Sequence, residues 1–510
     1  YYQYYDANRG IGVDENGERI KTPFVSHGNW FKKFFQDSWT LSNSLAVSAR
    51  LNRDNSVRFY ASDYRNETIV PNSDNTKQSF TLKTSSKVNN WFKLESTLNY
   101  QRRVCDNLPI MGFGAGSVMY SLWGMASNID MDWAKRYWVE NKENIQQDSG
   151  LASGKNNPYF SAYELVNTQQ RDRSYGNATF NFDLTKGLDL MLRGGYDMAN
   201  ELRTERHPWS SYSQKNGYYS ESNIHSTQYS GEFLLKYNHN LGKGFGVTGN
   251  IGGNILYRSH MDTRQTAEQL KRPGEYTLAN AVNYLKTGQY RYDRQTNSLY
   301  ALAQFSWRST VFMDVTGRND WSSTLPEGNN SYFYPSLSGS VMIKLRVSWA
   351  QVGNDTKPYR YSNNLSTSNF PGTYTLPWTL ANENLKPEKI TSYEVGLDIA
   401  ALKNRLRVDL ALYSILSENQ IVRSPVSASS GAIRMYTNAG SLRNKGIELA
   451  INARVLETKD WRLKLSANWA KNMNEIVSLG GTESWVIASY SSHAYITAYE
   501  GGSMSAMYGL

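Results

Sequence analysis

From Gly446 onward the apolar residues Ile447, Leu449, Ile451, Ala453 and Val455 fall on every second position, with Glu448, Asn452 and Arg454 between them. That is the period of a strand with one apolar and one wet face; a helix would repeat every three or four residues. After the polar link Glu457-Thr458-Lys459-Asp460, the residues Trp461, Leu463, Leu465, Ala467 and Trp469 alternate with Arg462, Lys464, Ser466 and Asn468. The two runs predict a β-hairpin with strands of about ten residues and tryptophan at both ends of one apolar face. A tilted strand crossing a bilayer has that length and its interfacial aromatics have that placement, whereas strands in soluble sandwiches average about five or six residues. Ile447, Leu449, Ile451 and Val455 are therefore expected toward lipid and Glu448 and Asn452 away from it, because a one-residue slip would put a carboxylate in hydrocarbon.

The rest of the chain repeats the pattern. Leu41, Leu45, Val47, Ala49 and Leu51 run to a turn at Asn52-Arg53-Asp54-Asn55, and Val57, Phe59 and Ala61 return; Phe80, Leu82 and Val88 precede Asn89-Asn90, and Phe92, Leu94 and Leu98 follow. Alternation stops between 103 and 173, where Gly112, Gly114, Gly116 and a short helix expected through Met131–Val139 interrupt it. It resumes over Tyr175–Leu184, Leu188–Met198, Phe233–Tyr237, Val247–Tyr257, Leu299–Trp307 and Val311–Thr316. Further strands are expected over Tyr334–Val341, Leu345–Val352, Tyr393–Ile399 and Leu406–Leu412. The stretches 200–226, 259–295, 353–389 and 416–445 read as loops, as does Asp320-Trp321-Ser322-Ser323. Short turns thus alternate with long loops, as in porin-like barrels with brief periplasmic turns and extended outer loops. The fold class expected is all-β, a large antiparallel transmembrane β-barrel with about sixteen of its strands in this chain. Residues 1–39 read as a loop region near the barrel start and 40–510 as barrel.

Composition sharpens this. Of 510 residues 39% are hydrophobic, with no run of about eighteen apolar residues, which excludes a helical membrane protein but not a barrel, where only alternate residues meet lipid. The 36 Tyr, 14 Trp and 17 Phe exceed the needs of a soluble enzyme and suit interfacial girdles and ligand-contacting loops. The net charge of +10 is spread over strands and loops without a run of five or six cations, so nucleic acid is not an expected partner. The single cysteine, Cys105, has no second thiol to pair with.

Neither cofactor nor metal is expected. His27, His207, His225, His239, His260 and His493 are dispersed, mostly in stretches read as loops or turns, and none has a second ligand three or four residues away; they read as surface residues. Gly249-Asn250-Ile251-Gly252-Gly253 lies inside an alternating strand with no helix pattern after it, which predicts a bend in a barrel strand rather than a phosphate loop. Asp130 and Asp132 fit a helix N-terminal charge pair or a metal site. There is no Gly-x-Ser-x-Gly elbow and no clustered histidine, which argues against an outer-membrane hydrolase.

Several blocks resemble the SusC/RagA family of TonB-dependent outer-membrane transporters. They are Asn29-Trp30; Val57-Arg58-Phe59-Tyr60-Ala61-Ser62; Arg318-Asn319-Asp320-Trp321-Ser322-Ser323 with Tyr334-Pro335-Ser336; and Lys344-Leu345-Arg346-Val347-Ser348-Trp349-Ala350-Gln351-Val352-Gly353-Asn354. Asn384-Leu385-Lys386-Pro387-Glu388 leading into Ser392-Tyr393-Glu394-Val395-Gly396-Leu397, and Asn438-Ala439-Gly440 with Asn444-Lys445-Gly446-Ile447-Glu448, continue the series. The resemblance implies a barrel of about twenty-two strands in the outer-membrane lipid of a Gram-negative bacterium, plugged by an N-terminal domain. It further implies a SusD-like surface lipoprotein as lid, a dimer of transporter–lid pairs, and import of oligosaccharides or oligopeptides with energy relayed by TonB-ExbB-ExbD. The plug would precede residue 1, about five strands would follow Leu510, and residues would be missing from the numbering between Tyr334 and Lys344. A passive porin or adhesin-type barrel is the alternative, and neither is an enzyme.

On this reading Arg346, Glu394, Asp398, Arg407, Asp409, Glu448, Asn452, Arg454, Arg462 and Lys464 line the lumen, and their mixed signs would pair across neighbouring strands. Trp321, Tyr359, Tyr361, Trp378, Tyr436 and Trp485 are the loop aromatics expected to contact cargo or lid, because an exposed ring stacks on a sugar face or a peptide side chain.

Overall fold

A computed structural model describes all residues except 1, 5–15, 17, 19–20, 30, 113, 149–153, 342–344, 368–369, 371, 482–483, 492–493, 505 and 510. Sixteen strands form one sheet in which each is hydrogen-bonded only to its neighbours in sequence. They are β1 (Trp39–Arg50), β2 (Asn55–Glu67), β3 (Asp74–Lys87), β4 (Phe92–Cys105), β5 (Asn167–Thr185), β6 (Leu188–Trp209), β7 (Asn216–Gly242) and β8 (Phe245–Ala267). The second half comprises β9 (Lys286–Trp307), β10 (Val311–Ser322), β11 (Ser331–Val341), β12 (Leu345–Asn354), β13 (Glu388–Ala401), β14 (Leu406–Glu418), β15 (Ser441–Glu457) and β16 (Arg462–Ser478). Every pairing is antiparallel, and β1 and β16 are the two edges, so the wall is an open meander.

The connections sort by end. At one end they have two to four residues, as at 51–54, 186–187, 243–244 and 402–405; at the other they run from six residues at 68–73 to the excursion 106–166. Local backbone chemistry allows the short ones. Arg308 (φ 48°) and Ser309 (φ 52°) both take the left-handed conformation between β9 and β10, the twist that two-residue hairpin turns require. β11 and β12 pair from Ser336↔Ala350 to Val341↔Leu345; of the interval between Tyr334 and Lys344 in which missing residues were expected, 342–344 lie outside the described residues.

Residues opposite each other in an antiparallel pair share a face, so the register can be followed across the wall. Val47↔Phe59↔Leu82↔Leu98 in the first strands, Leu235↔Ile251↔Ala301 in the middle and Leu397↔Leu410↔Leu449↔Trp469 in the last all fall on the same face. That face is apolar and its side chains are exposed, including Leu45, Val47, Ile251, Leu299, Val347, Leu465 and Trp469. A transmembrane barrel turns such a face to lipid and the opposite, polar face to its interior. At the short-turn end aromatics gather on it: Phe92 stacks on Phe182 (centroids 5.0 Å apart), Trp91 on Phe182 (6.1 Å), and Phe245 lies against Trp307 (6.2 Å).

Several strands are longer than the alternation indicated. β5 to β9 have 19, 22, 27, 23 and 22 residues, so much of 200–226 and 259–295, expected as loop, is strand. At about 3.3 Å per residue, β7 is roughly 90 Å long, several times the apolar band of about 25 Å. Beyond the band both faces are wet, so hydrophobic periodicity vanishes while the ladder continues. Cross-strand polar pairs mark the extension: Arg173 with Asp197, Gln169 with Glu201, and Thr168 with Thr204. Asp320, Trp321 and Ser322 likewise belong to β10 rather than to a loop.

The excursion 106–166 carries three short helices, α1 (Val118–Trp123), α2 (Met131–Ala134) and α3 (Pro158–Glu164), where one through Met131–Val139 was expected. Their apolar residues form a core with the segment before β1: Phe34, Val118, Leu122, Met125, Met131, Ala134, Tyr159 and Ala162 are buried together. Phe34, in the stretch 1–39 read as loop, is its anchor at 2% exposure. A three-stranded sheet, Ser484–Ser491, Ala494–Tyr499 and Met507–Gly509, lies outside the wall.

Candidate functional site

The register puts all ten expected lumen residues on the polar face. Arg346 lies opposite Gly396, Gly396 opposite Ala411, and Ala411 opposite Glu448; Asp398 lies opposite Asp409. Arg407 lies opposite Asn452, and Arg454 opposite Lys464. Glu394 is on the same face two residues from Gly396, and Arg462 two from Lys464.

Pairing is more selective than expected from charge alone. Arg346 reaches across β13 and donates from Nη2 to Asp409 Oδ1 at 3.2 Å. The path exists because residue 396 is glycine: a Cβ there would come within 2.8 Å of the Arg346 Nη2. A bulge between Arg454 and Leu456 brings Glu457 onto the polar face, where it accepts from Arg454 Nη1 (3.3 Å) and Arg462 Nε (3.1 Å). Asp398 faces a like charge, Asp409, across the β13–β14 pair. Ser466 donates to Asn452 Oδ1 at 2.9 Å.

A second polar network, on β6 to β11, was not singled out by the pattern. Arg193 Nη1 donates to Glu232 (3.4 Å), which also accepts from the Tyr300 hydroxyl (2.8 Å). The Arg318 guanidinium lies over the Tyr300 ring (5.5 Å) and donates to Asp320 Oδ1 (2.8 Å) and Ser298 Oγ (2.8 Å); Asp320 Oδ2 accepts from the Tyr334 hydroxyl at 2.5 Å. At its edge Arg294 and Ser322 both donate to the buried Asp355. Two blocks of the family resemblance, Arg318–Ser323 and Tyr334–Ser336, supply much of this network; the spacing of Arg318 and Asp320 by two was the available signal, since it places both on one face.

The six aromatics divide. Trp378 is 74% exposed and Tyr359 is exposed, both on the long connection between β12 and β13, while Tyr361 is half-buried. Trp321 is a residue of β10, opposite Asn297 and Ser331, and lies on the apolar face rather than in a loop. Tyr436 lies in a short strand with the Arg360 guanidinium over its ring at 4.7 Å. Trp485 packs against Ile476, Leu479 and Ala498.

The histidines also differ from the surface-loop reading. His207, His225, His239 and His260 are strand residues, and His207 is buried beside Glu205 (3.0 Å); His493 lies outside the described residues. Asp130 caps α2 by accepting from Asp132 N and is bridged by Lys33 at 3.4 Å. Gly252 and Gly253 have a steric role: a Cβ would come within 2.5 Å of the Tyr300 ring at 252 and 2.7 Å of the Phe233 ring at 253. Where α3 meets the wall, burial pushes the Glu164 carboxyl above its usual range against the opposing pull of Arg206, and Tyr137, which donates to it at 3.2 Å, is pushed up to about 12, chiefly by burial.

The family model for TonB dependent receptor-like β-barrels matches residues 112–490. TonB-dependent receptor P3 of Formosa agariphila is 23% identical over 413 residues, 76% of this chain and 38% of that receptor. TonB-dependent receptor SusC of Bacteroides thetaiotaomicron is 31% identical over 211 residues, 36% of this chain and 21% of SusC. The chain therefore spans well under half the length of these curated relatives. Among solved structures, that of the RagAB peptide transporter superposes with a TM-score of 0.80 at 18% identity, over 93% of this chain and 55% of that one.

Proposed function

This chain belongs to the TonB-dependent receptor-like β-barrel family, of the SusC/RagA type and of the Gram-negative outer membrane, and from that premise we propose that it walls the pore of an importer for a nutrient oligomer. The reading rests on one observation, the segregation within the band of an apolar and a polar face that the register carries across all sixteen strands. The polar face, with Arg346, Glu394, Asp398, Arg407, Asp409, Glu448, Asn452, Arg454, Arg462 and Lys464, lines the lumen. A plug fills the complete barrel, because a wall of this circumference would otherwise leak solutes. Work delivered through TonB-ExbB-ExbD opens it, since the outer membrane holds neither ion gradient nor nucleotide. A SusD-like lipoprotein closes the loop side, where Trp378 and Tyr359 are exposed, in a dimer of transporter–lid pairs. The cargo is an oligosaccharide or oligopeptide.

The test is uptake of labelled cargo by cells carrying the complete gene, with and without TonB. Loss of uptake without TonB is expected; equal uptake would leave a passive porin.

A further inference from the structure

Resting on that reading, we propose that the polar face of β1 to β4 is a track for a multiply anionic oligomer. On β1, β2 and β3 the polar-face positions run through Ser48 and Arg50, Ser56 and Arg58, and Lys77, Lys83 and Lys87, and among the described residues none of these faces carries a carboxylate. β4 contributes one, Glu95, and it is already bridged to Lys93 at 2.8 Å. Arg58 and Lys83 are direct cross-strand neighbours and both are exposed. In a folded wall two like charges placed opposite each other are unfavourable unless a third charge answers them.

Two further observations point to a ligand. Arg50, Arg58 and Lys83 converge on one groove with the hydroxyl and amide side chains of Ser48, Ser85, Thr97 and Asn177; Arg193, paired with Glu232, and Glu95, paired with Lys93, also line it, so cations outnumber carboxylates there. A second basic tier stands nearer the long loops, where Lys77 and Arg103 are opposed across β3 and β4. It is about six residues, or roughly 20 Å along the strand, from Lys83. The tiers are joined by a row in which Tyr60, Thr81, Asn99 and Tyr175 are aligned across four strands. A ligand with one fixed acidic group would need only one tier. Repetition along the direction of transport suits a chain carrying an anion on successive units, handed from loop end to short-turn end while the potential stays favourable.

The shared chemistry is a carboxylate or sulfate on each repeat, on a glycan or a peptide backbone. Binding should be measured on the full-length transporter in outer-membrane vesicles with oligogalacturonate, oligoglutamate and neutral maltooligosaccharide of matched length. Both anionic probes, or one of them, should bind more tightly than the neutral one, and the preference should shrink with added salt. Arg58→Gln with Lys83→Gln should weaken anionic binding by about tenfold, the combined worth of two exposed ion pairs, and leave neutral binding unchanged. Arg58→Lys with Lys83→Arg should retain it. Equal affinity for charged and neutral probes, or equal loss of both, overturns the proposal. So does a glutamine variant that binds cargo normally but leaks ions through the pore, which would make the strip a seat for an acidic plug segment. TonB-dependent uptake without anionic preference would sink this inference alone; anionic preference without TonB dependence would sink the proposed function alone.

Discussion

The β15–β16 hairpin and the β6–β7 hairpin are built on one backbone plan and differ in what surrounds them. In β15–β16, Trp461 and Trp469 stand eight residues apart on the apolar face, about 26 Å at strand rise, close to the thickness of a barrel's apolar band. β6 and β7 share a similar band, Leu188, Leu190 and Leu192 against Tyr237, Leu235 and Phe233, and then continue for fifteen more pairs, through Asn200↔His225 and Arg203↔Ser222 to His207↔Tyr218. The first hairpin is held in register by lipid on one face; the second, above the band, relies on its ladder and on polar neighbours.

The largest expected effect lies in that difference. Leu465→Arg falls midway between Trp461 and Trp469 and should cost about 2–4 kcal/mol in reversible unfolding from bilayers. Leu202→Arg, on the same face of β6 but fourteen residues beyond Leu188, should cost under about 1 kcal/mol, because the guanidinium is already in water. Equal costs would place the band wrongly. Next, Gly252→Ala should destabilise by about 1–3 kcal/mol, since the Tyr300 ring it displaces is tied to Glu232, whereas Gly249→Ala in the same strand meets nothing within 4 Å and should be near neutral. Thermal unfolding of both variants checks this. In the extension, Arg173→Ala removes the ion pair with Asp197 and should cost about 0.2–1 kcal/mol, read as faster hydrogen exchange in β5 and β6 with the band unaffected.

The smallest effect is the pH response of Glu164. Its folded-state pKa is raised by burial, so its stabilising contribution is complete below the ordinary glutamate range and is lost as pH rises through the raised value. Glu164→Gln should therefore increase exchange protection of 106–166 at neutral pH and make little difference in acid. Lower protection at neutral pH would mean that Arg206, 4.0 Å away, outweighs burial.

In the band the sequence was legible. Ile447, Leu449, Ile451 and Val455 alternate with Glu448 and Asn452 because lipid tolerates only one kind of side chain, and the expected turns at 52–55, 89–90, 185–187 and 402–404 coincide with or adjoin the observed ones. Above the band water accepts nearly any residue, so 200–226 looked like a loop and is mostly strand. The fate of the aromatics was equally hidden: Trp321 and Trp485 have the composition of ligand-contacting loop residues, but one belongs to the apolar face of β10 and the other to a small core.

Which residues share a face can be read along the chain alone, since it follows from the two-residue repeat of an extended backbone and holds at any register that keeps carboxylates out of hydrocarbon. Tertiary structure decided which of them meet. Arg346 finds Asp409 only because β14 is second neighbour to β12 and residue 396 has no side chain in the way. Glu232 finds Tyr300 across 68 residues of sequence, and Glu164 is buried only once α3 packs near Arg206. Such contacts depend on strand order and on loops returning to the wall, neither of which leaves a period in the chain.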